Sequence, residues 1–447
     1  MQNIFRVSIF ILCISNILLA SKIDNYFHSD VSKTAFSHPV SGMTDVEEDQ
    51  FMLGKSFFTI PWVVSPASTT ARDGLGPFFS ANTCMHCHPR NGAGLTVDKK
   101  GEMHRSYLLR VSHQSTTNKN FLDSMGFEPD SMYGAQISRH ANRLVVPEAK
   151  VTLSYEHIKG FYPDGSVYVL RKPQYKISEK GYGDFDKETI LAGRIASALL
   201  GLGLLEAIPE EDILKYQDIN DTNHDGISGK ANYAYNPESK KKELGRFTWK
   251  ASATTVKHQS AAAAHYDMGL SNPLFPSHNC TVKQKECRKN MRQFIQLDLP
   301  EQRLNAISFY VSHLALPLRR FPQKYKEGET LFRNLNCIAC HTPMHKTKEG
   351  IPVPAYSDLL LHDMGEGLSD GRSEFLAKGN EWRTAPLWGI GLYKKVSTEA
   401  YYLHDGRARS IEEAILWHGG EGEKSKKDFM ALPRQAREKV LDFLHSI

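Results

Sequence analysis

Two five-residue stretches, CMHCH at Cys84–His88 and CIACH at Cys337–His341, constrain this chain more than any other feature of its 447 residues. Each sets two thiols two residues apart and follows them at once with an imidazole. Several chemistries use paired thiols. A zinc site needs four ligands converging on one ion and has no use for a histidine directly after both pairs. A redox dithiol belongs in a thioredoxin-like βαβ setting, which neither stretch has. A covalently attached haem uses both features: two sulfurs spaced for its two vinyl groups, and a histidine on the same turn of chain as an axial iron ligand. The pattern predicts two covalently bound haem c groups, attached at Cys84, Cys87, Cys337 and Cys340, with His88 and His341 as proximal ligands.

The chain opens with MQNIFRVSIFILCISNILLAS, a lone Arg6 and then an apolar run ending at Ala20. That is the pattern of a secretory signal peptide over residues 1–20, and it predicts export to the periplasm, with an uncleaved N-terminal anchor as the alternative. Cys13 lies in that run and leaves with it. Of the six remaining cysteines, only Cys280 and Cys287, in NCTVKQKECRKN, lack an adjoining histidine, so in an exported chain they are the natural disulfide pair. A net charge of +5 is mild at this length, and the one compact basic run, Lys240–Lys242, has no aromatic platform interleaved with it. No nucleic-acid partner is indicated. With 40% hydrophobic and 23% charged residues, the composition is that of a globular chain long enough for two cores.

An internal repeat organises those cores. LPEQRLNAISFYVSHL at Leu299–Leu314 matches LPRQAREKVLDFLHSI at Leu432–Ile447 under a shift of 133, and the same shift pairs Trp249-Lys250 with Trp382-Arg383. Both segments read as closing amphipathic helices. Before the second CxxCH, Gly328, Leu331, Phe332 and Leu335 fall at helical spacing, and a broken form of that prelude, LGKSFF at Leu53–Phe58, precedes the first. From His341 to Leu432 is 91 residues and from His88 to Leu299 is 211, so the first half carries an insertion of about 120 residues. Segments such as RLVVPEAKVTLSYEHIKGFY and SVYVLRKPQYKI, β-branched and aromatic with period-two character, give it strands, followed by a helical AGRIASALLGLGLLEAIP. The expected fold is mainly α, with two cytochrome c-like haem domains: residues 40–320 with an α/β insertion at about 90–240, and residues 321–447.

The second ligands differ between the halves. HDGRARSIEEAILWHGGE starts a helix near Ser410 with Glu412 and Glu413 in its first turn. Ile411, Ile415 and His418 share its apolar stripe. At this point His418 is equally an axial ligand or a C-terminal histidine favoured by the helix dipole, with Gly419-Gly420 ending the helix. No histidine occupies the matching stretch of the first half, Asn279–Leu314, except His313. His258 and His265, in TTVKHQSAAAAHYDMG, are the nearest distal candidates, each equally readable as a packed core histidine. An iron with one protein ligand can bind a small molecule, whereas one closed by two imidazoles transfers electrons, so the asymmetry points to an enzyme.

NDTNHDGISGKAN offers Asp221, Asn223, Asp225, Gly226 and the Ile227 carbonyl at the first, third, fifth, sixth and seventh places of a calcium loop, with Asn232 at the twelfth in place of glutamate. An Asx-rich turn accounts for the same residues.

GLGPFFSANTCMHCH, LGLLEAIP, NDTNHDGISGKAN, GRFTWKASATTV, DMGLSNPLFP, CIACH and LHDGRARSIEEAILWHGGE together resemble the di-haem c-type oxidoreductases labelled peroxidase or "thiol oxidoreductase", related to the bacterial di-haem cytochrome c peroxidases. The likeness covers nearly the whole mature chain. It implies that the position fourteen residues after the His of HDG, here His418, is the second axial ligand of the C-terminal haem, where the peroxidases usually carry methionine. It implies, too, a reactive N-terminal haem receiving electrons from the bis-histidine one. Asp267 lies near the segment that holds the relatives' peroxide-cleaving acid, with no motif match to fix it. The implied substrate is a peroxide or similar small molecule, and the implied partner a periplasmic electron donor or an oxidisable protein. No residue accounts for "thiol", because thioether bonds would consume all four motif cysteines. The alternative is a non-catalytic di-haem electron carrier or redox sensor, which would not need the long insertion. A zinc-bearing structural module would be colourless.

Overall fold

The computed structural model describes residues 23–98, 100–115, 117–289 and 296–447. The expected signal segment 1–20 and Cys13 lie outside them. Among the described residues no helix is long and apolar enough to cross a membrane.

Two helix pairs carry the repeat. Helix Asp45–Thr59 begins in a capping box, in which Thr44 Oγ1 accepts the Glu47 N–H and the Glu47 carboxylate accepts the Thr44 N–H at 2.8 Å. It buries Phe51, Gly54, Phe57 and Phe58 against helix Glu301–Ser312. Helix Lys326–Asn334 packs in the same way on Arg434–Ser446. Each contact centres on a glycine that lets two backbones touch. A Cβ at Gly54 would stand 1.9 Å from the Ala306 carbonyl oxygen, and one at Gly328 would stand 2.0 Å from that of Lys439. Tyr310 and Phe443 flank the two glycines. Ala306 and Lys439, like Tyr310 and Phe443, are one repeat apart. The shift of 133 is thus one helix contact made twice.

The expectation of a mainly α fold built from cytochrome c-like domains is corrected by the structure, which is 29% helix and 19% strand and shows no all-helical cytochrome c-like class. The strands lie in seven small sheets among the described residues. Part of the discrepancy is AGRIASALLGLGLLEAIP. Its first residues belong to strand Thr189–Ile195, and only Leu202–Glu206 is helical. Gly193 lets the Tyr107 and Tyr175 hydroxyls approach that strand so closely that a Cβ would lie 2.3 and 2.1 Å from them. The apolar run beyond it continues irregularly, because its backbone serves the site described below.

The largest core gathers Phe36, Phe58, Trp62, Leu200, Phe247 and Leu304, and takes in Ile351, Val353, Leu359, Leu360, Trp388 and Val396 from beyond residue 320. A second core holds Phe332, Tyr356, Phe429 and Phe443. From the insertion rises an antiparallel hairpin, Lys150–Phe161 with Val167–Ser178, in register Lys150↔Ser178 to Phe161↔Val167. It lies on the second half: Tyr162 donates to Glu412 at 2.7 Å, Arg437 pairs with Asp164 at 2.8 Å, and Arg171 donates to the Gly406 and Arg407 carbonyls, each at 2.9 Å.

Candidate functional site

Both CxxCH turns open onto one cavity of about 750 Å³. At the first, Thr83 caps helix Cys84–Cys87 by accepting the Met85 N–H at 2.9 Å, and donates to the Phe58 carbonyl at 3.3 Å, which ties the turn to helix Asp45–Thr59. His88 Nδ1 then donates to the Ser197 carbonyl at 2.8 Å. At the second turn His341 Nδ1 donates to the Tyr356 carbonyl at 2.9 Å. Because a carbonyl only accepts, the proton sits on Nδ1 and Nε2 keeps its lone pair, the arrangement of an iron-ligating imidazole. Phe58 lies 6.3 Å from the His88 ring and Phe332 lies 6.2 Å from that of His341, so the repeated helix pair supports the same ring in both halves.

His418, the third such imidazole, follows helix Ile411–Leu416, which Ser410 caps by accepting the Glu413 N–H at 3.0 Å. Its Nδ1 donates to the Ala414 carbonyl at 2.8 Å, and the side chain lines the cavity with His341. Burial pushes His88 and His341 down to about 4 and lowers His418 too, so all three rings are neutral near pH 7. Burial also pushes the Cys84 and Cys337 thiols up to about 12 and raises Cys87 and Cys340. Among the described residues no group of three or more His, Cys, Asp or Glu could hold a metal ion.

The first half has a different wall, helix Val256–Met268. Of the three distal candidates, His258 and Asp267 line the cavity and His265 does not. His265 stacks on Phe275 at 5.4 Å. His258 Nδ1 accepts the Thr254 N–H at 3.3 Å, so the neutral ring carries its proton on Nε2 and offers a donor in place of a ligand lone pair. Asp267 Oδ1 is buried without a hydrogen bond, 3.7 Å from Arg110 Nη2. Burial raises its carboxyl pKa against the opposing pull of Arg110 and Gln136. Its carbonyl accepts the Ser80 and Ala81 N–H groups, at 2.8 and 3.2 Å, and thereby fixes the helix end to the approach of the CMHCH turn.

Between the turns the repeated dipeptides meet. Arg383 donates its N–H to the Trp249 carbonyl and its Nε to that of Thr248, both at 2.9 Å. Lys250 Nζ donates to the Glu381 carbonyl at 2.9 Å and sits 3.9 Å from the centre of the Trp382 ring. His404 stacks on the same indole at 3.6 Å. The cavity is lined by the cations Arg110, Arg194, Lys250, Arg372, Arg383 and Lys426 against the carboxylates Asp267, Glu374 and Glu421. A cationic, otherwise apolar cleft holding two thiol pairs and three imidazoles with free Nε2 atoms fits haem, whose propionates need cations. The residues that would hold it are Cys84, Cys87 and His88 at one end, and Cys337, Cys340, His341 and His418 at the other.

The remaining expected sites lie elsewhere. Asp221 Oδ1 and Asn223 Oδ1 accept the Asp225 N–H at 3.0 and 2.9 Å, and Asp225 Oδ1 accepts the Ile227 N–H at 2.9 Å, which is Asx-turn geometry. Asn232, the twelfth position, is buried and turned away from this loop, donating to the Lys250 carbonyl at 2.7 Å. Cys280 and Cys287 stand at bonding distance, 1.91 Å between sulfurs, and within their loop Gln284 donates to the buried Glu148 carboxylate at 2.6 Å. Sequence reasoning missed the Ser197 and Tyr356 carbonyls, which any residue supplies, and Arg110, which no motif marks.

No curated protein matches the chain. Among solved structures, hydrazine synthase of Kuenenia stuttgartiensis pressurised with xenon aligns at 15% identity over 54% of this chain and 88% of that one, with a TM-score of 0.24, too low to carry an argument. The family profile described as "Di-haem oxidoreductase, putative peroxidase" matches residues 22–447. With nearly the whole chain inside that match, the protein belongs to the di-haem oxidoreductase family.

Proposed function

We propose that this protein is an exported, periplasmic c-type di-haem oxidoreductase of peroxidase type, with electrons from a donor protein entering at the second site and a peroxide or similar small molecule reduced at the first. The observation that carries this reading is the asymmetry of the cavity. Beside His341 stands a second imidazole, His418, with its Nδ1 anchored and Nε2 available, whereas the cavity of the first half is walled by Asp267 and His258. A haem bound at each turn would supply one-electron chemistry and, at the first turn, would give a peroxide a place to react. The chain's own residues do the rest. Cys84, Cys87, Cys337 and Cys340 provide attachment, and His88 and His341 are oriented by backbone carbonyls. Asp267, its carboxyl pKa raised by burial, can exchange a proton with a small molecule in the cavity. Arg110 holds that carboxyl from 3.7 Å.

Absorption and EPR spectra of the exported protein in oxidised, half-reduced and reduced forms test this. The expected result is two thioether-bound haems, one low-spin with two imidazoles and one that accepts an added ligand, together with peroxide turnover. A preparation with no Soret band refutes the haem reading. Two permanently six-coordinate irons without turnover refute catalysis and leave an electron carrier.

A further inference from the structure

His362 has no part in the chemistry described so far, yet it lies at the junction of everything that shapes the second site. It sits in strand Leu361–Asp363, opposite Trp382 in the register with Glu381–Arg383, with only 3% of its surface exposed. Both ring nitrogens face carboxylates: Nε2 lies 2.8 Å from Asp358 Oδ2 and Nδ1 lies 2.6 Å from Glu421 Oε2. A carboxylate on each nitrogen calls for a proton on each, so the ring is held as an imidazolium in a two-sided, charge-assisted bridge. Its two partners belong to opposite sides of the site. Asp358 donates its N–H to the Cys340 carbonyl at 2.9 Å, and Cys340 Sγ is 3.5 Å from His362 Nδ1. Glu421 stands three residues beyond His418.

The stretch carrying His418 is short, and on its far side it is held through Glu421. The preceding helix, Ile411–Leu416, has six residues, and Gly419 and Gly420 lack side chains. Gly420, at φ +51°, lies so close to the strand that a Cβ would come within 2.3 Å of the Asp363 carbonyl oxygen, so the loop is already pressed against the segment that carries His362. Glu421 completes that contact by accepting the Asp363 N–H at 3.2 Å, and from the first half it accepts the Ser228 N–H at 3.1 Å and the Ser228 hydroxyl at 2.9 Å.

We propose that His362 is the positioning residue of the second site, clamping the loop that follows His418 to the segment anchored on Cys340 and thereby keeping that site closed. This rests on the reading of His418 as a ligand. Groups that orient a ligand from behind typically change its affinity by about 10- to 100-fold when removed. Loss of the bridge therefore releases His418 without touching Cys337, Cys340 or His341.

The test uses the full-length exported protein as wild type, His362→Gln and Glu421→Gln, with haem content checked by mass. EPR of the oxidised wild type comes first: absence of a bis-imidazole low-spin signal refutes the ligand reading itself and leaves the clamp without an object. With that signal present, each variant is expected to lose most of it, to gain high-spin iron, and to bind carbon monoxide at the reduced second site with an affinity about 10- to 100-fold above wild type. Retention of the wild-type signal and of wild-type exclusion of carbon monoxide in either variant overturns the clamp. Where His362→Gln fails to mature, the near-isosteric Glu421→Gln decides by the same two readouts.

Discussion

Replacing Gly328 with alanine places a methyl carbon 2.0 Å from the Lys439 carbonyl oxygen, 2.8 Å from the carbonyl carbon and 2.9 Å from Phe443 Cβ. Ordinary contact begins near 3.4 Å, so helices Lys326–Asn334 and Arg434–Ser446 must part by more than an ångström. Two effects oppose. Alanine is the better helix former by about 1 kcal/mol. Overpacking a close contact costs typically about 1–3 kcal/mol, and here the obstacle is backbone, which cannot rotate away. With unyielding backbone the upper part of that range applies, about 2–3 kcal/mol, so overpacking wins for a net loss of about 1–2 kcal/mol. The exposed Thr330→Ala on the same helix should stay within about 0.5 kcal/mol of wild type. The separation also loosens Phe332, which packs on Phe443 at 5.3 Å and stands 6.2 Å from the His341 ring, so absorption and EPR features of the second site should broaden in step with the stability loss. Denaturant titration followed separately through the visible spectrum and through far-UV circular dichroism measures both. A Gly328→Ala protein as stable as wild type would refute the claim that this glycine exists for backbone contact, and with it the parallel claim for Gly54.

Glu148 is buried and pushed up to about 8 by that burial, against hydrogen bonds from the Ser138 N–H at 2.7 Å and from Gln284. An acid raised in the folded state binds its proton more tightly there than in the unfolded chain, so stability falls as pH rises between its ordinary value of 4.5 and about 8, by up to about 1.4 kcal/mol per pH unit. Thermal unfolding from pH 5 to 8 should show that slope, and Glu148→Gln should flatten it. Asp267, raised by burial, should govern the pH profile of peroxide turnover: the rate constant rises as pH climbs through its elevated pKa and the carboxylate forms to accept a proton, and Asp267→Asn removes that limb with a loss of about 10²- to 10⁴-fold. An unchanged profile in Asp267→Asn would assign the proton transfer to another group.

Most of the site was legible because its chemistry is written in side chains at fixed spacing. Cys84–His88 and Cys337–His341 announce themselves, and the repeated Trp249-Lys250 and Trp382-Arg383 marked residues that meet in the cavity. The backbone's part was illegible. Ser197 and Tyr356 orient the His88 and His341 imidazoles through carbonyls, which leave no trace in composition. The same need misled the fold reading: the apolar stretch from Ala192 scans as a helix, but a helix would have engaged the Ser197 carbonyl internally, and the chain instead runs as strand and irregular segment. His258 shows a further limit, since the sequence offered it on equal terms with His265, and both its place in the cavity wall and the sense of its hydrogen bond with Thr254 depend on local geometry. Asn232 fits the last place of a cation loop by number and is withdrawn from it by bonds to Lys250 and Glu374.

The long hairpin of the insertion bears on how the chain acquires its shape. Tyr162 reaches a partner 250 positions further on, Arg171 one 236 positions on, and Asp164 one 273 positions on. The Asp164 contact, to Arg437, cannot close until the last helix has been made, and closing loops of that size is slow. The hairpin itself pairs locally and early. It waits as a ready-made clasp, so the final event of folding should be its fastening across the C-terminal half, and the first event of unfolding its release.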